Sequence, residues 1–133
     1  MKWPKNKYRV AMPEQRTFRG KLYASKAEME YATVLWSLYA SGEIKIIIEQ
    51  PRLWLGVVEN VYVPDFFVLD SDGPKFIDVK GMRTSAFNKN VKLWKNYGIG
   101  NLYILKKCGK KWSTEVIYGP KNRSPNGLPV DQL

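Results

Sequence analysis

The chain has 133 residues, 44% hydrophobic and 14% aromatic, which is enough for one folded domain with a real core and too little for two. It has no histidine, one cysteine (Cys108) and a net charge of +10, which excludes histidine general bases, histidine-metal sites, intramolecular disulfides and cysteine-based zinc sites. No apolar run approaches the roughly 20 residues of a membrane span, and the first residues are too polar for a signal peptide, so a soluble, cytoplasmic protein is expected.

Residues 1–24 are basic and turn-rich, with Pro4, Pro13 and Gly20, and read as an irregular N-terminal arm. Ser25-Lys26-Ala27-Glu28 has the pattern of a capping box and opens a helix that runs to about Ala40. Ser41-Gly42 ends it, glycine being suited to the left-handed position after a helix. Tyr31, Ala32, Leu35, Leu38 and Tyr39 form its apolar stripe, and Glu28 shares that stripe while Glu30 lies off it. Ile44–Glu49 and 53–58 read as strands separated by Pro51, and Glu59-Asn60 as a turn. A hairpin follows, roughly Val61–Leu69 and Pro74–Lys80, turning at Ser71-Asp72-Gly73. Thr84 or Ser85 caps a second helix through Tyr97, with Phe87, Val91 and Trp94 as its buried stripe and Lys89, Lys92 and Lys95 on other faces. Asn101–Lys106 and Trp112–Tyr118 complete the strands, and a Pro-rich tail runs from Gly119 to Leu133. The expected architecture is one α/β (α+β) domain spanning residues 1–133, a sheet with helices packed on it.

Charge is unevenly spread. Residues 1–42 carry net +5, residues 43–80 net −3 and residues 81–133 net +8. An acidic centre between basic flanks suits an anionic polymer, the flanks neutralising phosphates and the centre holding a cation.

The acidic centre holds a compact constellation, Pro64-Asp65 on one strand of the hairpin and Asp78-Val79-Lys80 on the other. Side chains alternate along a strand, so Asp78 and Lys80 share a face, and the hairpin brings Asp65 beside Asp78. Phe66-Phe67-Val68-Leu69 and Phe76-Ile77 are apolar on both faces, the mark of central strands. Charges at the ends of such strands need partners, because an unpaired buried charge is costly. Two acids and an ammonium there suit a hard divalent cation and a polarised water, and so phosphodiester hydrolysis. Glu28 is a third acid, as a metal ligand or only as a helix cap, and Gln50 is a further polar neighbour. Lys106-Lys107 and Lys110-Lys111 are candidate phosphate contacts.

The order Phe18-Arg19, Ser25 to Glu28, Gly42-Glu43-Ile44, Gln50-Pro51, Tyr62-Val63-Pro64-Asp65-Phe66 and Asp78-Val79-Lys80-Gly81 resembles the PD-(D/E)xK nuclease superfamily. Within it, the chain looks most like small phage-encoded Holliday-junction resolvases of the endonuclease I type. The acid at position 78 departs from that group, where glutamate is frequent. The resemblance implies a restriction-endonuclease-like mixed β-sheet flanked by helices. It also implies magnesium (or manganese) held by Asp65, Asp78, the Val79 carbonyl and Glu28, with Lys80 serving the attacking water. A homodimer cutting branched DNA is implied as well, with Arg19, Lys21, Lys89, Lys92 and Lys95 as candidate backbone contacts. Other nucleases on this scaffold (a nickase, a fork or single-strand nuclease, a restriction-type enzyme) and a non-catalytic DNA-binding protein are the alternatives.

Overall fold

The computed structural model describes residues 11–56 and 58–120. The first ten residues and most of the Pro-rich tail, residues 121–133, lie outside them.

The described part of the arm is more ordered than its composition suggests. A 3-10 turn at Pro13–Arg16 leads into a two-stranded hairpin, β1 (Thr17–Phe18) and β2 (Lys21–Leu22). Arg16 anchors it: Nε donates to the Ala11 carbonyl at 3.0 Å and Nη1 to the Tyr23 carbonyl at 2.7 Å. Helix α1 (Lys26–Ala40) starts where Ser25 Oγ accepts from the Glu28 N–H at 3.0 Å. It ends at Gly42, whose φ of +85° is the left-handed conformation expected there. Helix α2 (Ser85–Tyr97) is capped by Thr84 and buries Phe87, Val91 and Trp94, the stripe read from its spacing. Gly98 follows because a Cβ there would lie 2.5 Å from the Trp94 indole.

Five strands form one mixed sheet in the order β3 (Ile44–Glu49), β6 (Phe66–Asp70), β7 (Gly73–Val79), β8 (Asn101–Cys108), β9 (Lys111–Tyr118). All neighbours are antiparallel except β7 and β8, whose parallel pairing is made possible by the α2 crossover. The sheet has one apolar cluster on each face. Ala32 and Leu35 of α1 pack with Ile44, Phe66, Val68, Ile77 and Leu105. Phe87, Val91 and Trp94 of α2 pack with Phe76, Leu102, Ile104 and Ile117. The fold is thus mixed α and β, two helices on a five-stranded mixed sheet. No helix among the described residues is long and apolar enough to cross a membrane.

Two expectations about strands need correcting. Among the described residues of the segment 53–58, the strand is only β4 (Leu53–Trp54), because Gly56 turns the chain away at φ +83°, and Val57 lies outside the described residues. The first arm of the site hairpin is broken: β5 (Val61–Tyr62) pairs with β4 in a small separate sheet, and only β6 joins the main one. Pro64 lies at the break, where a residue lacking an N–H suits an interrupted ladder.

Candidate active site

β6 and β7 are central, flanked by β3 and β8, so anything at their ends is walled by sheet on both sides. Asp65 immediately precedes β6, and Asp78 is the penultimate residue of β7. Because the two strands are antiparallel, with Phe66 opposite Ile77, both acids fall at the same end of the sheet. Helix α1 also begins near this end, and its first-turn Glu28 faces the sheet.

Asp78 is 1% exposed and Glu28 4%, the only buried charged residues among those described. Asp65 is half-buried, and its Oδ2 accepts from the Val79 N–H at 2.7 Å, which ties the two strand ends together. Its carbonyl accepts from the Gln50 N–H at 2.9 Å, and Gln50 sits at φ +54° to make that turn. The backbone of Gln50, rather than its exposed side chain, is therefore what contacts the site.

Lys80 stands on the same face as Asp78, as strand alternation required, with Nζ 3.4 Å from Asp78 Oδ1. Its ammonium also lies 4.8 Å from the centre of the Phe87 ring, and its N–H donates to the Leu105 carbonyl at 2.8 Å. Asp78 Oδ1 is nevertheless buried without a hydrogen bond. The other oxygen, Oδ2, accepts a short hydrogen bond from the Tyr62 hydroxyl.

The three carboxyls perturb one another. Burial pushes Asp65 up to about 9, and the charges of Asp78 and Glu28 push the same way, against the Val79 N–H. Burial likewise raises Asp78, against the opposing pull of Lys80 and Tyr62. Glu28 is raised by burial, with Lys21 opposing and Asp78 adding. The Tyr62 hydroxyl is held far above its ordinary value by burial and by the Asp78 charge, so it stays a hydrogen-bond donor. Asp65 and Asp78, side by side at one sheet end and both held from ionising, with the Glu28 charge adding from α1, favour added positive charge.

The Ser25 half of the capping box is present, Ser25 Oγ accepting from the Glu28 N–H, while the Glu28 carboxyl is drawn to the Ala24 backbone. Among the described residues, no three acidic or cysteine side chains stand close enough to form a ready-made metal-binding group. The fit to a divalent cation therefore rests on Asp78 Oδ1, a buried oxygen without a hydrogen bond beside a second carboxylate. That donor set, hard and anionic, fits magnesium or manganese.

Two contributors were not identified from the sequence. Tyr62 lies three residues before Asp65, but the break at residues 63–65 destroys the alternation that would have placed it. Glu49, at the end of β3, accepts from the Tyr23 hydroxyl at 2.5 Å and pairs with Lys21 at 3.2 Å, which links the N-terminal hairpin to the site wall. Of the proposed DNA contacts, Lys21 is thus engaged, and Arg19 stacks its guanidinium 4.0 Å over the Trp36 ring. Lys89, Lys92 and Lys95 are exposed on α2, away from its buried stripe. Glu30, off the stripe as expected, pairs with Lys107.

No protein-family model matches this chain, and neither does any curated protein or solved structure.

Proposed function

We propose that this protein is a metal-dependent DNA endonuclease of the PD-(D/E)xK type, and within that group a Holliday-junction resolvase acting as a homodimer. One observation carries the reading: the buried Asp78 carboxylate has an oxygen without a hydrogen bond, beside Asp65 and 3.4 Å from the Lys80 ammonium. The excess of basic residues on both flanks supports a polyanionic substrate. The order of helix, three antiparallel strands, crossover helix and parallel strand is compatible with a restriction-endonuclease-like sheet.

Asp65, Asp78 and the Val79 carbonyl would hold magnesium, with Glu28 drawn in from the start of α1 as the third acid, and the ion would supply an acidified water and neutralise charge on the phosphoryl group. Asp65 is kept in place from two sides, by the Val79 N–H on its carboxylate and the Gln50 N–H on its carbonyl. Lys80 presents a fixed positive charge on the Asp78 face, where it orients the attacking water and stabilises charge developing on the phosphate. Phe87, beside Lys80, excludes water from the rear of the ammonium and strengthens its field.

The test is cleavage by the purified protein of an immobile four-way junction and of a linear duplex of matched sequence, with magnesium and with chelator. Paired nicks in opposing junction arms, absent from the duplex and lost in chelator, are the expected result. Equal cutting of both substrates keeps the nuclease and rejects junction selectivity. Binding without cutting in magnesium or manganese overturns the catalytic reading in favour of a DNA-binding protein.

A further inference from the structure

Helix α2 covers only part of its sheet face. Its stripe packs on Leu102 and Ile104 of β8 and Ile117 of β9. The same face continues past the start of the helix. Lys106 follows Ile104 by two residues, and Ser113 and Glu115 of β9 stand opposite Lys106 and Ile104 in the ladder. The turn from Lys80 to Arg83 forms the other wall. Between them runs a groove of about 460 Å³ with Lys80, Arg83, Lys106, Ser113 and Glu115 in its lining.

The groove is cationic, with Lys80, Arg83 and Lys106 against the single carboxylate of Glu115. Arg83 is held in position there. Its Nε donates to Asn88 Oδ1 at 2.9 Å, and Nη1 donates to the Glu115 carboxylate at 2.7 and 3.1 Å. Phe87 lies under both cations, 4.8 Å from Lys80 Nζ and 5.5 Å from the centre of the Arg83 guanidinium. One aromatic ring therefore joins the candidate active site to the groove, with Lys80 belonging to both. With Nε and Nη1 engaged by Asn88 and Glu115, Arg83 is held with its Nη2 donors left for a phosphate oxygen, and Lys106 adds a second charge across the cleft.

We propose that this groove is a second phosphate subsite. It takes a backbone phosphate of the nucleic acid strand, adjacent to the phosphate at Asp78 and Lys80, an inference that rests on the nuclease reading for its substrate class. The strand then follows the β8–β9 face, where Lys110 and Lys111 extend the positive charge to the hairpin tip. This path differs from one along Lys89, Lys92 and Lys95, which lie on the exposed side of α2.

The experiment measures binding of a fluorescent short duplex, in chelator, over a series of salt concentrations. Arg83→Ala and Lys106→Ala should each weaken binding by up to about tenfold, and the double variant should lower the salt slope by about 0.9, the signature of one lost phosphate contact. Lys45→Ala, an exposed lysine on the opposite edge strand, should leave both unchanged. Glu115→Gln should tighten binding. Unchanged affinity and slope in the double variant refute the subsite, whether or not the protein cuts DNA. Loss of binding in the variants of a protein that never cuts retains the subsite and overturns the nuclease reading. Should Arg83→Ala unfold, Lys106→Ala decides the matter alone, its side chain being exposed.

Discussion

Replacing Asp65 by asparagine should stabilise the metal-free protein. In the unfolded chain this carboxyl ionises near 3.8, whereas in the folded protein burial and the charges of Asp78 and Glu28 hold it at about 9. Its folded value is raised, so the folded state binds the extra proton between those limits, and stability falls as pH rises through that window. At neutral pH, roughly three pH units above the unfolded value, the ceiling on this cost is about 4 kcal/mol at 1.36 kcal/mol per unit. Asparagine keeps an oxygen for the Val79 N–H, removes the charge and retains some amide desolvation, which leaves an expected gain of about 1–3 kcal/mol. For a domain of this size that corresponds to a rise of about 4–10 °C in Tm. Thermal or urea unfolding in chelator, at neutral pH and again near pH 2.5, measures it. The gain should vanish at the lower pH, where folded and unfolded wild type are both protonated. Saturating magnesium should stabilise wild type and leave the variant unmoved. A variant that is neutral or destabilised at neutral pH in chelator refutes the electrostatic account and makes Asp65 a purely structural tie.

Four further outcomes follow from the same geometry. Asp78→Ala should abolish magnesium-dependent cleavage while leaving DNA binding intact or tighter, since a negative charge is removed next to phosphate; unaffected cleavage would sink the site assignment. Lys80→Met should lower the single-turnover cleavage rate by about 10²–10³ and, because Lys80 also lines the groove, weaken duplex binding by up to about tenfold; a retained cleavage rate at saturating protein refutes its role in the chemistry. Tyr62→Phe strips Asp78 of its hydroxyl donor and should cost about 1–3 kcal/mol in chelator, a loss that shrinks in magnesium; equal losses in both conditions would remove Tyr62 from the site. Burial opposes ionisation of Asp70, but the Lys75 ammonium at 2.8 Å and the Asp72 N–H outweigh it and hold its carboxyl below the usual range. That contribution is present above the unfolded value of 3.8 and disappears as pH falls through the lower folded value, so Asp70→Asn should cost about 1 kcal/mol at neutral pH and nothing near pH 2, read by urea unfolding.

Elements with strong local signals were legible in the sequence. The Ser25 and Thr84 caps, the Gly42 stop and the Phe87–Val91–Trp94 stripe are all set within a few residues by hydrogen bonding and 3.6-residue periodicity. The Asp78–Lys80 pairing was legible for the same reason, since alternation along a strand is a local rule. The parts that escaped depend on contacts distant in sequence. Tyr62 reaches Asp78 across a break in the strand, and Gln50 reaches Asp65 through its backbone from another strand. Arg83 follows a strand whose neighbour, β8, was not assignable by register until the crossover was known. The 13–22 hairpin hid in a basic, Pro- and Gly-containing stretch, because Arg16 closes it through the main-chain carbonyls of Ala11 and Tyr23, contacts that composition does not encode.

The break at Pro64 and the two-residue turn between Asp70 and Gly73 also have a kinetic meaning. Asp65, Asp78 and Lys80 sit at the open end of the β6–β7 hairpin and Tyr62 just before it, so the loop that must close to bring the two aspartates together is short. Closing this hairpin requires neither Glu28 of α1 nor the β3 strand, so the two aspartates can be brought together within one local unit. Their mutual repulsion then acts on the folding barrier as much as on the finished structure. A proton or a divalent cation that relieves this repulsion as the hairpin closes would speed folding, which ties the rate of assembly to the same ionic conditions that suit the site for a metal.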